Sequence, residues 1–323
     1  MPSDPKTRTR LASRVALLAL VAGFAACSDD TTAPRITEPG TPSFGKNVTG
    51  TNQRLLFTSM RDGNEELYSM NPDGTGVTRL TFSAGEDAYG VWSPDGKRIA
   101  FFSQRDNPWG DIYLMNADGS GVVRLTNSVA MSVSPTWSKD GKQIAFASNR
   151  TSANPSVYNA NDFEIFVVNV DGTGLKQITK NNFSDFAPVW SPDGKQIAFA
   201  SNRDNYAGND IFVMNVDGSQ VTRLTPAEPG IHSGAPAWDP HGRTIVFQRE
   251  GGLFVVDPTT RLQTQLTYFN GDMDPSYSPD GTQLAFTSIR DGYYDIFVMN
   301  SDGSNINRIT DNLYIDWFVR WSR

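Results

Sequence analysis

Six oxygen-bearing residues stand at a fixed distance from a recurring aromatic. Five places before Trp92, Trp137, Trp190, Trp238, Tyr277 and Trp321 the chain carries Asp87, Ser132, Asp185, Ser233, Asp272 and Asp316. Four carboxylates brought to one place repel unless some are protonated, solvated or matched by a cation. An oxygen-only set suits Ca²⁺ or Mg²⁺ rather than zinc. Asp87, Asp185, Asp272 and Asp316 are therefore the candidate metal ligands, with Ca²⁺ or Mg²⁺ as the candidate cofactor. A basic side chain from a partner would match the same charge. The plainer expectation is that these oxygens cap turns by accepting backbone N–H bonds.

Other chemistry has less to stand on. The repeated Ser-x-Arg-Asp (Ser59, Arg61, Asp62; Ser103, Arg105, Asp106; Ser201, Arg203, Asp204; Ser288, Arg290, Asp291) recurs too regularly for an acid–base pair and reads as scaffold. His232 precedes Ser233 and is the one candidate base near the ring. With only His232 and His241, a His-rich zinc site is excluded. No Gly-x-Ser-x-Gly elbow is present, and Gly119-Ser-Gly121 reads as a hairpin turn, not a phosphate cradle. The Asp-Gly turns lack the spaced acids and terminal Glu of an EF-hand.

The elements that must position these residues repeat along the chain. Pro188 to Asp204 reads as strand, tight turn, strand: Val189-Trp190, then Ser191-Pro-Asp-Gly194, then Gln196 to Ser201 with Ile197 and Phe199 on one face. A third strand recurs, as in Asp210-Ile-Phe-Val-Met214, followed by a turn such as Asn215-Val-Asp-Gly218. A fourth ends in Arg-Leu-Thr or a variant, as in Arg223-Leu-Thr225. There are six such copies, and a period near 40–50 residues signals a propeller. The first copy lacks its Trp-Ser strand and the last Trp-Ser strand, Phe318 to Ser322, lacks a hairpin after it. The expected fold is all-β: a six-bladed β-propeller of four-stranded antiparallel blades, closed by the C-terminal strand joining the N-terminal blade. The third copy has an insert, Thr151 to Asp162 with Tyr158, readable as a partner-contact loop; the fifth copy is short at Glu250-Gly-Gly252.

Residues 1–26 read as a signal peptide, with Lys6, Arg8, Arg10 and Arg14 before the apolar run Val15 to Ala26. That run is short for a membrane span. Without these residues 24 basic and 34 acidic side chains remain. Such an acidic body argues against nucleic acid and permits cationic partners or metal ions. Residues 27–50 are rich in Ser, Thr, Pro, Gly and Asp and form a tether without a core. The propeller occupies 51–323. The single cysteine, Cys27, allows no intrachain disulfide.

Phe24-Ala-Ala-Cys27 resembles the lipobox of bacterial lipoproteins. The resemblance implies that Cys27 is lipidated and, with Ser28 after it, that the protein is anchored in the outer membrane, facing the periplasm or the cell surface. The unit Trp-Ser-Pro-Asp-Gly-Lys-x-Ile-Ala-Phe, Asp-Ile-Phe-Val-Met-Asn-x-Asp-Gly and Arg-Leu-Thr resembles the WD40-like repeat of the TolB family over residues 54–323. TolB-like character implies a non-enzymatic periplasmic propeller of the Tol–Pal system that binds a peptidoglycan-associated lipoprotein. TolB carries an α/β domain before its propeller, where this chain has only the tether. The expectation is a monomeric envelope lipoprotein that binds a protein or peptide at an acidic channel mouth. The alternatives are a divalent-metal-dependent hydrolase or lyase working in the channel, by resemblance to pectate-fragment lyases, and a carbohydrate- or peptidoglycan-binding module. The last would use exposed aromatics, with Tyr89, Phe186, Tyr314 and Trp317 as candidates.

Overall fold

Twenty-four short strands, in antiparallel sets of four, follow from the repeat. The computed structural model describes residues 53–151, 163–204 and 208–322. The leader, Cys27, the tether and the insert beyond Thr151 with Tyr158 lie outside the described residues. Blade 1 holds β1 (Leu55–Ser59), β2 (Glu66–Met70) and β3 (Thr78–Arg79); blade 2 holds β4 (Asp87–Trp92), β5 (Arg98–Ser103), β6 (Asp111–Asn116) and β7 (Val123–Arg124). Blade 3 is β8 (Ser132–Trp137), β9 (Gln143–Ser148), β10 (Glu164–Asn169) and β11 (Lys176–Gln177); blade 4 is β12 (Asp185–Trp190), β13 (Gln196–Ser201), β14 (Asp210–Asn215) and β15 (Thr222–Arg223). Blade 5 is β16 (Ser233–Trp238), β17 (Ile245–Arg249), β18 (Gly252–Val256) and β19 (Gln263–Gln265); blade 6 is β20 (Asp272–Tyr277), β21 (Gln283–Ser288), β22 (Asp295–Asn300) and β23 (Asn307–Arg308). The last strand, β24 (Asp316–Trp321), is the inner strand of blade 1.

The core lies between blades. Ala100, Ile112 and Leu114 of blade 2 pack on Trp137, Ile144 and Phe146 of blade 3. Ala145, Ile165 and Val167 of blade 3 pack on Trp190, Ile197 and Phe199 of blade 4. A small residue on one sheet thus accepts a large one from the next, as face-to-face sheets require. The turns hold the same spacing. A Cβ on Gly119 would lie 2.4 Å from the carbonyl oxygen of Leu80, one blade back, and its φ is +87°. Only glycine lets that turn touch its neighbour.

The expected fourth strand stops short. Regular strand pairing ends at the arginine of Arg-Leu-Thr or its glutamine variant; the next residue still donates its backbone N–H to the third strand, and the threonine hydroxyl then takes over. Thr81, Thr126, Thr179, Thr225, Thr267 and Thr310 each accept a backbone N–H from the third strand at 2.8–3.0 Å. A side chain replaces a ladder bond, which is why the motif keeps a threonine where pairing has stopped.

The ring closes as the phase of the repeat predicts. β24 pairs with β1 from Leu55↔Trp321 to Ser59↔Asp316. Arg54 and Ser322 exchange two further bonds of 2.7 Å. Ending the chain at Trp317 removes Phe318, Val319 and Trp321, all buried. Losing each large side chain costs about 2–5 kcal/mol, and an inner strand goes with them. Such a chain is expected to show no cooperative thermal transition by circular dichroism; an unchanged melt would refute the closure.

Candidate functional site

The inner strands begin at the six residues singled out above, so Asp87, Ser132, Asp185, Ser233, Asp272 and Asp316 stand at equivalent places at one mouth of the channel. None is more than 2% exposed. Each carboxylate is committed to its own blade. Arg105 donates to Asp87 at 2.8 Å and Arg203 to Asp185 at 2.6 Å. Arg290 reaches both oxygens of Asp272 at 2.7 Å, and Arg61 both of Asp316 at 3.0 Å. These are the arginines of Ser-x-Arg-Asp. Their Nε–H groups donate to the motif serines at 2.9–3.2 Å. Each guanidinium also lies over an aromatic pair of the two middle strands, for example Arg203 at 5.0 Å from Phe199 and 5.1 Å from Phe212. Charge pairing, hydrogen bonding and cation–π attraction converge on one side chain.

This geometry differs from a shared cation. The arginines supply the positive charge from within the fold. Among the described residues no three His, Cys, Asp or Glu side chains gather as a metal ion would need. Sequence reasoning missed the pairing, whose one trace in the sequence is a spacing: 18 residues separate Asp87 from Arg105, Asp185 from Arg203 and Asp272 from Arg290. Arg61 and Asp316 are 255 apart and meet only through closure of the ring.

A second tier of acids opens the third strands. Glu66, Asp111 and Asp295 pair with outer-strand arginines: Arg79 at 3.0 Å, Arg124 at 2.5 Å and Arg308 at 2.7 Å. In blade 3 the outer-strand position is Gln177, and Glu164 accepts the backbone N–H of Asn181 at 2.6 Å instead. Burial pushes the Glu164 carboxyl up to about 7, and the charge of Asp185 adds to the shift. Burial raises Glu65 to about 8, with the charge of Glu86 adding. One oxygen of Glu65 has no hydrogen-bond partner. Asp87 and Asp295 rise to about 6, burial again being the largest cause.

Below the mouth each inner strand carries a bulge that periodicity did not reveal. Tyr89, Ser134, Ala187, Ala235, Asp274 and Phe318 all have φ between 45° and 55°. Pairing with the second strand slips at these points. The signal was the proline after the bulge in four blades (Pro135, Pro188, Pro236, Pro275), where the ladder needs no donor. Tyr89 meets Phe318 edge-on at 4.8 Å and Trp317 at 5.1 Å. Arg320 lies 3.8 Å over Phe318 and donates to the carbonyl of Asp274 at 3.0 Å.

The rim aromatics are corrected accordingly. Tyr89 and Phe186 are buried, Trp317 is half-buried, and of the four only Tyr314 is exposed. The bulge turns Tyr89 inward, against Phe318. Other apolar side chains stand out instead. Phe82, Tyr268 and Leu313 are 75%, 83% and 79% exposed. Phe269, Ile289, Tyr293 and Tyr314 are also exposed. All seven sit on the loops at the ring's end of the strands, over blades 5, 6 and 1. His232 bonds through Nδ1 to Asn209 of the preceding blade at 3.2 Å. Trp92, Trp137 and Trp190 line a cavity of about 90 Å³ at the inner strands' far end.

Comparison with known proteins gives a consistent picture. Residues 92–163 and 227–316, about half of the chain, match the family described as PD40, TolB beta propeller domain. A protein TolB homolog of Chlorobium luteolum is 30% identical over 149 residues, covering 45% of this chain and 33% of that protein. The chain thus matches about a third of that relative's length. The crystal structure of TolB from Acinetobacter baumannii superposes with a TM-score of 0.72 at 20% identity, over 83% of this chain and 66% of that one. Oligogalacturonate lyase from Vibrio parahaemolyticus gives 0.55 at 16% identity, over 80% and 75%. At these identities the two structures show a common fold alone.

Two measurements test the site. Arg203→Met leaves Asp185 buried without its guanidinium and is expected to cost about 3–5 kcal/mol in urea unfolding. Adding Asp185→Leu should restore most of that; no recovery would mean that the pair is not what holds the strand. The raised carboxyls bind protons more tightly in the folded state than in the unfolded. Their contribution is full below about pH 4.5 and is lost as the pH rises through 6 to 8. Stability should therefore fall between pH 5 and 8, by up to about 1.4 kcal/mol per pH unit for each group titrating. Glu65→Gln should flatten the upper part of that slope.

Proposed function

Because the chain belongs to the TolB beta-propeller family, we propose that it is a cell-envelope protein that binds another protein or peptide at the arginine-lined mouth of its channel, without catalysis. Lipidation of Cys27 and anchoring in the outer membrane complete the reading, with the propeller acting as a monomer. The observation that carries it is the crescent of exposed apolar side chains on the loops of blades 5, 6 and 1. Exposed apolar side chains beside a polar, hydrogen-bonded centre are the pattern of a protein-binding face. The mouth supports binding rather than bond-making, because its ring carboxylates are fixed in arginine pairs and hold no lone nucleophile. Its TolB relatives make an envelope partner the natural class.

A photo-crosslinking side chain placed at Tyr268 in the full chain, in its own cells, should capture a discrete partner. The same group at Leu262, exposed at the other end of the strands, should not. Phe82→Ser with Tyr268→Ser should reduce capture at least tenfold while leaving the melting temperature within about 1 °C, as for surface changes. Equal capture from both positions, or none, would sink the reading.

A further inference from the structure

In two of the seams the ring acid and the acid that opens the third strand each meet an arginine. Between blades 1 and 2, Glu66 and Asp87 meet Arg79 and Arg105. Between blades 6 and 1, Asp295 and Asp316 meet Arg308 and Arg61. Between blades 5 and 6 the upper tier is absent, Gly252 and Gln265 standing in its places, and Asp272 meets Arg290. Between blades 4 and 5 the ring position is Ser233, and Arg249, which stands where other blades have the motif serine, meets Glu228 at 2.7 Å. The seam between blades 3 and 4 has an acid in excess, and Glu164 meets that by holding a proton near neutrality.

Between blades 2 and 3 the ring acid is missing, and Arg150 meets a hydroxyl where its counterparts meet a carboxylate. Ser132 stands where four blades have aspartate. Arg150 still takes the pose of its counterparts, over Phe146 and Phe166 at 5.0 Å, with Nε–H donated to Ser148. Its Nη2 donates to the Ser132 hydroxyl at 2.9 Å, where Arg105 has a carboxylate. The carboxylate across the seam, Asp111, is already engaged by Arg124, Asn107 and Thr126. Asp106 and Asp111 both act on Arg124, and only the charge of Asp111 reaches Arg150. Arg150 carries its charge against a desolvation cost that lowers its pKa. It remains partly exposed, so an anion can reach it.

We propose that this seam is a carboxylate-binding site, in which an acidic group of a bound peptide takes the place that aspartate holds in the other blades. Arg150 and the Ser132 hydroxyl would donate to it. The repeat itself is the template: four blades show what this pocket accepts, and the pose of Arg150 is preformed. The partner would then present an acidic group to the mouth, although the protein as a whole is acidic. The site deepens the binding function proposed above and rests on it only for the identity of the partner. Carboxylate binding is measured on the isolated chain and fails or succeeds separately from capture in cells.

The test is thermal unfolding of the full chain in sodium acetate against sodium chloride at equal ionic strength and pH 7. Acetate should raise the melting temperature of the wild type above its value in chloride. Ser132→Asp should melt about 2–4 °C higher in chloride, an increment typical of one added interaction, and lose the acetate response. Ser132→Asn, of the same shape without charge, should not reproduce the gain. Arg150→Lys, which keeps the charge but not the fork, should weaken the response at least tenfold in the acetate concentration required. Acetyl-Ala-Glu-amide and acetyl-Ala-Ala with a free C-terminus then distinguish a side-chain from a terminal carboxylate, with acetyl-Ala-Gln-amide as the uncharged control. Identical melting in acetate and chloride, or an acetate response that survives Ser132→Asp, would overturn the proposal. If Ser132→Asp does not fold, the wild-type and Arg150→Lys responses still decide it.

Discussion

A ring of blades is free of open edges only if its first and last strands share a sheet, and here β24 meets β1 over the register Leu55↔Trp321 to Ser59↔Asp316. Unpaired edges invite association, and closure removes those of the ring. The same pairing brings Arg61 to Asp316 across 255 residues, so the charge pattern of the mouth is complete only when the ring is. Because the core lies between blades, each blade is stable by virtue of its neighbours, and the closing strand stabilises all of them at once.

The arginine of each Ser-x-Arg-Asp converts that closed frame into a particular surface. Its guanidinium lies on the blade's aromatic pair, bonds the serine that ends the second strand, and reaches the carboxylate that begins the inner strand. An acidic ring thereby becomes a neutral, rigid one. Buried ion pairs of this kind owe more to their hydrogen bonds and geometry than to bare attraction. The consequence for function is a mouth whose charge is set seam by seam. Where the pattern holds, each acid meets its arginine; Ser132 leaves Arg150 without a carboxylate, and Gln177 leaves Glu164 without an arginine.

The two breaks flank blade 3, the blade whose second and third strands are joined through the longest connection. Around the ring, the loops of blades 5, 6 and 1 carry exposed aromatic and aliphatic side chains, and Trp109 and Val129 add to them beside blades 2 and 3. The mouth thus offers apolar contact together with an arginine that lacks its ring carboxylate, the combination in which a peptide finds both affinity and orientation.

Much of this was legible in the amino-acid order because it is periodic. The alternation of Ile197 and Phe199, the Asp-Gly turns, the missing Trp-Ser strand of the first copy and the extra one at the C-terminus fixed six blades, four strands each, and their closure. The ring residues were legible too, since equivalent places in a repeat are equivalent places in space. Their partners were not, although the 18-residue spacing to arginine was present in the sequence. A spacing becomes a contact only when the inner and second strands are laid side by side. The bulges at Tyr89 and Asp274 were missed for a related reason: a period-2 pattern is blind to a residue that leaves the ladder, and the bulge turned Tyr89 and Phe318 against each other. Local sequence determined the strands and turns because those depend on neighbours a few residues away. Which charge each carboxylate meets was decided by tertiary structure alone, because that depends on groups that only the closed ring brings within hydrogen-bonding distance.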